Sequence, residues 1–248
     1  MTRVLVAGES WSVTSIHTKG FDSFTTVNYE EGGTALLGAL EAGGFDVTYM
    51  PCHVAATKFP WTAEELAEYD VVILSDIGAN TFLLPARTFL KGQKSTNRLA
   101  MLRDWTRAGG GLAMVGGYLS FQGIEAKANY RGTPLAEALP VILEVGDDRE
   151  ESPEGLNAHL VGSHPVTAGI DANFPALLGY QRFMPKETAT VLAAFEDDSP
   201  LLVVDELGAG RILAYASDIG PHWAPTEFTD WAGFSTMWQQ AVTWLAGK

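Results

Sequence analysis

Cationic side chains are scarce in this sequence: 16 lysines and arginines stand against 30 aspartates and glutamates, a formal charge of −14. A chain this acidic repels phosphate backbones and anionic headgroups. That excludes non-specific nucleic-acid binding and electrostatic docking to a membrane. Cysteine is nearly absent as well. The one thiol, Cys52, cannot form an internal disulfide, which fits a reducing, cytoplasmic setting. No apolar run approaches the roughly 18 to 20 residues that cross a bilayer. The first residues show neither the basic n-region nor the long h-region of a secretory signal. Five histidines, at 17, 53, 159, 164 and 222, show no H-x-x-x-H or H-E-x-x-H spacing. No Walker loop and no G-x-G-x-x-G follows the first strand. No metal and no cofactor is therefore expected.

What is present suits one globular unit. Hydrophobic residues make up 46% of the 248 and charged residues only 19%, enough for a sizeable core. No linker divides the chain, so residues 1–248 read as a single domain. Arg3–Ala7, Asp46–Met50 and Val71–Ser75 are apolar or β-branched runs. Between them lie helical patterns at 34–42, stopped by Gly43-Gly44, and at 62–68, capped by Thr62 with Glu65 at capping-box spacing. Strand, helix, strand, helix, strand implies right-handed crossovers and a parallel sheet. Asn97 caps a further helix to about Ala108, and Leu112–Val115 is a fourth strand. Residues 133–180 read as loop-rich, with one strand near 141–145. TVLAAF, LLVVDE and RILAYAS, around a turn at 208–210, predict an antiparallel C-terminal hairpin. Phe234, Met237, Trp238, Ala241, Val242 and Leu245 form one helical stripe for the sheet.

In an open parallel sheet, ligands bind beyond the carboxyl ends of the strands. Glu9, Ser10 and Trp11 follow the first strand, with His17 in the next loop. Asp76 follows the third. A carboxylate at either place orients a ligand or caps a turn. The stretch GGGLAMVGGYLSFQG (109–123) feeds a buried strand into a Gly116-Gly117 corner. Such a corner allows either close packing or a sharp strand-to-helix bend that aims a side chain and backbone N–H groups at a ligand. It offers Tyr118, Ser120 and Gln122. Asp218 ends a later strand, and Pro221 leads into His222-Trp223. An imidazole facing a carboxylate suits general acid–base work, or it is a structural histidine under the last helix. The run Asp147-Asp148-Arg149-Glu150-Glu151 is a solvated face or a clamp on a nearby loop. Cys52, beside His53, reads as a spectator thiol.

Several stretches carry a family resemblance: YDVVILSDIGAN (69–80), GGLAMVGGYLSFQGI (110–124), LPVILEVGDDREESPEG (139–155), HPVTAGI (164–170), SDIGPHW (217–223) and DWAGFSTMWQQAVTWL (230–245). Across nearly the whole chain the sequence resembles the glutamine amidotransferase-like family related to the trehalose-utilisation proteins. The resemblance implies an α/β, flavodoxin-like, class I amidotransferase-like three-layer sandwich. Its sheet would be mostly parallel with the antiparallel hairpin at its C-terminal side. Active class I amidotransferases carry a cysteine at the elbow and a histidine and glutamate after a later strand. Here the elbow offers Gly117 or Tyr118, and His222 has no neighbouring glutamate, so glutaminase activity is not expected. The expected site comprises His222, Asp218 and Tyr118 as catalytic groups. Glu9, Ser10, Asp76, Gly116, Gly117, Ser120, Gln122 and Trp223 would contact a small polar, sugar-like ligand. The alternative is a non-catalytic binding or self-assembly module. Trp223, Trp231, Trp238 and Trp244 would then supply a homo-oligomer interface, or else fill the core.

Overall fold

A computed structural model describes all 248 residues. The chain begins with β1 (Arg3–Gly8), then a long hairpin of β2 (Ser10–Lys19) and β3 (Asp22–Glu31), then α1 (Thr34–Ala42) and β4 (Asp46–Met50). Next come α2 (Cys52–Lys58), α3 (Ala63–Leu66), β5 (Val71–Ser75), α4 (Ala79–Leu83), α5 (Ala86–Phe89), α6 (Arg98–Arg107) and β6 (Gly111–Val115). The middle holds α7 (Leu135–Ala138), β7 (Val141–Leu143), β8 (Arg149–Leu156), β9 (Ala158–Leu160), β10 (Leu177–Gln181) and β11 (Phe183–Pro185). The chain ends with β12 (Thr190–Phe195), β13 (Pro200–Leu207), β14 (Gly210–Tyr215), α8 (Thr226–Thr229) and α9 (Ala232–Leu245).

Eight strands form one sheet in the order β4-β1-β5-β6-β14-β13-β12-β9. The first five run parallel; β13, β12 and β9 add on antiparallel. This is the mostly parallel sheet with a C-terminal antiparallel extension that the sequence implies. From β1 the chain steps outward through α1 to β4, then crosses back through α2 and α3 to β5 on the other side of β1. Right-handed crossovers in opposite directions put α1 on one face and α2, α3 and α6 on the other, giving three layers. The strand order therefore switches direction between β1 and β5, and that crevice is where such sheets bind ligands. The register aligns the ends: Gly8 pairs with Ser75, Ser75 with Val115, and Val115 with Tyr215.

The helix starts follow the sequence closely. Asn97 Oδ1 accepts the Ala100 N–H at 3.0 Å, and Thr62 Oγ1 accepts the Glu65 N–H at 3.3 Å. The Glu65 carboxylate reaches back to the Trp61 N–H rather than that of Thr62. All six stripe residues of α9 are buried. Trp223 and Trp238 are buried too, and Trp231 and Trp244 pack against the core, so the tryptophans fill the interior rather than face outward.

Two regions differ from the sequence reading. Ser10 to Glu31 is not a loop but a ten-residue-per-strand hairpin, with His17 in its β2 strand. The stretch 133–180 also carries more strand than expected: β8 pairs with β10, and the short β7 pairs with β11, both outside the main sheet. These strands are short or irregular, with a register shift in β10, so no clean alternation marks them in the sequence.

Candidate functional site

Three carboxylates gather at the carboxyl rim of the sheet. Glu9 directly follows β1, Asp76 directly follows β5, and Asp218 follows β14 by three residues. Glu9 and Asp218 are fully buried, and Asp76 nearly so. The Glu9 N–H donates to the Ser75 carbonyl at 2.8 Å, and the Ser75 hydroxyl donates to Glu9 Oε2 at 2.5 Å. Asp218 Oδ1 accepts the N–H groups of Ile219 at 2.7 Å and Gly220 at 3.3 Å. The other oxygen of each acid, Glu9 Oε1 and Asp218 Oδ2, is buried without a hydrogen-bond partner.

Burial raises the pKa of all three acids, because a low-dielectric surround disfavours the charged form. Like charge adds to it: Asp218 and Asp76 push Glu9 up, and Asp76 pushes Asp218 up. For Asp76, the Leu119 N–H at 2.5 Å from Oδ1 works in the opposite direction.

Backbone strain marks the same place. Glu9 and Asp76 adopt left-handed φ values of 49° and 43°, and His222 sits at 125°. Such conformations cost of order 1–3 kcal/mol each and cluster at binding and active sites. The sharp strand-to-helix corner expected at Gly116-Gly117 lies instead at Asp76, between β5 and α4. After β6 the chain bends at Gly117 (φ 134°), but Phe121 (φ 51°) and Gly123 (φ 68°) turn it away, and only a single 3₁₀ turn follows at Ile124–Ala126. No thiol lies in the 115–118 bend.

The bend and the 216–223 segment nevertheless meet. The Gly116 N–H donates to the Tyr215 carbonyl at 2.9 Å. A Cβ on Gly116 would stand 2.5 Å from the Ala216 carbonyl oxygen and 2.6 Å from that of Ser217, so only glycine fits. Gln181 pairs with both backbone groups of Gly117. His222 lies between two aromatic rings, 5.1 Å from Trp11 and 5.2 Å from Tyr118, and Tyr118 stacks at 5.6 Å on Trp223. His222 Nδ1 is 3.8 Å from Asp218 Oδ2, too long for a hydrogen bond.

Glu151 ties this wall together, accepting from the Tyr118 hydroxyl at 3.1 Å and from Trp223 Nε1 at 3.0 Å. Arg149 covers the Tyr118 ring at 4.8 Å and bridges Asp147 and Glu151. Asp148 accepts the N–H groups of Gln122 and Gly123, and burial raises it to about 6. The acidic run is thus a clamp on the 118–125 loop. Glu151, Arg149 and Gln181 support the site but were not expected there; only the charge run hinted at the first two.

Of the other expected residues, Ser10 Oγ accepts the Cys52 N–H at 2.8 Å, and Ser120 Oγ accepts the Asp76 N–H at 3.1 Å. Gln122 is turned inward, bonded to Arg131 and Val145. Gly116, Ser120 and Gln122 line neither of the two hollows at the rim. One hollow, about 280 Å³, is lined by Ser10, Trp11, Tyr29, Cys52, His53 and Asp76 among others. The other, about 330 Å³, has His222, Ile219, Gly220 and Gly32 in its wall. Trp11 lines the first and His222 the second, so their ring contact joins the two. Cys52 Sγ points at the Asp76 carbonyl at 3.6 Å, and burial raises its thiol pKa, which leaves it a poor nucleophile. No group of three or more histidine, cysteine or acidic side chains has the geometry to hold a metal ion. No helix is long and apolar enough to cross a membrane.

A switch-point crevice on a mostly parallel sheet, with a histidine and carboxylates at its rim, defines the amidotransferase-like class of α/β proteins. A family model described as "Putative glutamine amidotransferase" matches residues 3–247, and the chain belongs to that family. Among solved structures it is similar to the cytoplasmic protein STM3548 from Salmonella typhimurium, with 45% identity, 98% of both chains covered and a TM-score of 0.94. It is equally similar to the cytoplasmic protein STM1381 from Salmonella typhimurium LT2, with 46% identity, 98% and 99% coverage and a TM-score of 0.94. A ThuA-like protein from Bacteroides uniformis shares the fold at 12% identity, with a TM-score of 0.59 over 98% of this chain and 91% of that one. A search of functionally curated proteins finds no significant match.

Proposed function

We propose that this amidotransferase-like protein binds a small, polyhydroxylated, sugar-like molecule at the β1/β5 rim without glutaminase chemistry. The observation that carries the reading is the pair of buried carboxylate oxygens, Glu9 Oε1 and Asp218 Oδ2, that lack partners beside an aromatic wall. An unmet buried acceptor is costly, and a ligand hydroxyl satisfies it. Trp11, Tyr118 and Trp223 offer flat apolar faces, which suit the C–H face of a sugar ring. His222 and Asp218 form the acid–base pair, their separation closing when a ligand orders the strained His222. Glu9 and Asp218, held toward their protonated forms by burial, donate as well as accept. A cytoplasmic setting suits the lone thiol and the names of the two Salmonella relatives.

A thermal-shift panel of sugars, polyols and amides tests this. Wild type is stabilised by at least one sugar or polyol, and His222→Ala loses that response. Silence across the panel, or a response that His222→Ala keeps in full, defeats the reading.

A further inference from the structure

The β2–β3 hairpin packs on nothing. It leaves the rim at Glu9, runs out for ten residues, turns at Gly20-Phe21 and returns to Glu31. Its root is anchored, by Ser10 to Cys52, by Trp11 against His222, and by Tyr29 against His53 at 5.3 Å. Beyond the root, every hydrogen bond and ring contact of residues 13–28 stays inside the arm, such as His17 stacked on Phe24 at 4.7 Å. Both strands are edges.

Its side chains are wrong for free solvent. The cross-strand pairs put Thr14, Ile16, Thr25 and Val27 on one face, and Val13, His17 and Phe24 on the other. Ile16 is 74% exposed, Val27 64%, and Phe21 at the tip is fully exposed. Exposed edges are normally blunted by charge, proline or bulges. Between residues 11 and 29 there is no proline, and Lys19 and Asp22 beside the tip are the only formal charges. The register runs without a bulge. A lone two-stranded ribbon is marginal in water, so something covers it.

We propose that a second copy of this chain covers it, by reciprocal arm exchange in which each arm lies across the body of the other protomer. Area chooses this mode. Ten residues at about 3.3 Å each, and a ribbon about 10 Å wide, give one arm face of about 330 Å². Arm packed on arm alone removes only about 650 Å² from water, the size of a crystal contact. Two arms laid across two bodies remove about 1,300 Å², within the range of a stable dimer. Charge agrees with it. The bodies carry nearly all of the −14 and repel one another, whereas the arm is close to neutral and carries Lys19 and His17 near its tip. The inference stands whatever ligand the rim takes.

Light scattering coupled to size exclusion, on the full chain at micromolar concentration, tests it. Wild type elutes at twice the chain mass, and added salt leaves the dimer intact because the contact is apolar. Ile16→Lys with Val27→Lys halves the mass while far-UV dichroism stays unchanged. Phe89→Lys, at an exposed apolar position on α5, leaves the dimer intact. Replacing residues 13–28 with Gly-Gly serves as a second arm variant and is also a monomer. A monomeric wild type overturns the proposal. So does a dimer that survives both arm variants, or one that Phe89→Lys dissociates.

Discussion

His222 Nδ1 stands 3.8 Å from Asp218 Oδ2, a buried oxygen with no hydrogen-bond partner, and His222 is itself held at a φ of 125°. The strain is maintained by stacking between Trp11 and Tyr118 rather than by a hydrogen bond to the nearby acid. It follows that stability and binding pull in opposite directions at this residue.

Replacing His222 with glycine removes the strained φ, which is worth of order 1–3 kcal/mol, against roughly 1 kcal/mol of added backbone entropy in the unfolded chain. The variant is expected to melt at or a few degrees above wild type and to lose any ligand response. Calorimetric Tm values with and without ligand check both halves. A Tm several degrees lower contradicts the strain argument.

The pH dependence of stability has a definite sign. Glu9, Asp76, Asp218 and Asp148 have folded pKa values raised by burial, so the folded state holds protons that the unfolded chain releases. Stability therefore falls as pH rises from the unfolded carboxylate range through each folded pKa, about 6 for Asp148. Asp147, held low by Arg149, contributes the opposite slope in strong acid. Urea midpoints should be higher near pH 6 than near pH 8, and Glu9→Gln should flatten that difference by raising the alkaline value.

Much of this fold is legible in the sequence because the parallel strands are buried on both faces and read as continuous apolar runs, as Val71–Ser75 does. The α9 stripe is legible for the same reason of periodicity. The placement of Glu9, Asp76 and Asp218 at strand ends follows once the strands are known. The arm was missed because its two faces are equally exposed, so no apolar–polar alternation marks it. A different signal was there: β-branched runs at 13–18 and 24–27 flank a two-residue turn whose first residue, Gly20, has a φ of 63°. The inward turn of Gln122 and the pairing of Gln181 with Gly117 were not legible. They depend on loops that meet only in three dimensions.

Gln181 holds the bend at Gly117 through both of that residue's backbone groups. Gln181→Leu keeps the volume but leaves a buried N–H and C=O unpaired, at a cost on the order of 2 kcal/mol or more. Chemical denaturation measures it. A loss under about 0.5 kcal/mol, the scale of an ordinary surface change, means that the bend is held by other contacts.

Cys52 should behave as a spectator. Alkylation at neutral pH is expected to be slow, glutamine should yield no ammonia above background, and Cys52→Ala should leave ligand responses unchanged. Ammonia release that disappears in Cys52→Ala would reinstate a thiol mechanism at the smaller hollow.

Titration calorimetry tests the rim most directly, using the sugar or polyol that shifts wild type furthest against wild type, Glu9→Gln and His222→Ala. One saturable site is expected, weakened tenfold or more in both variants, a loss of about 1.4 kcal/mol. Equal affinity in all three proteins, or no saturable heat from any of the compounds, contradicts a ligand site built on Glu9, Asp218 and His222.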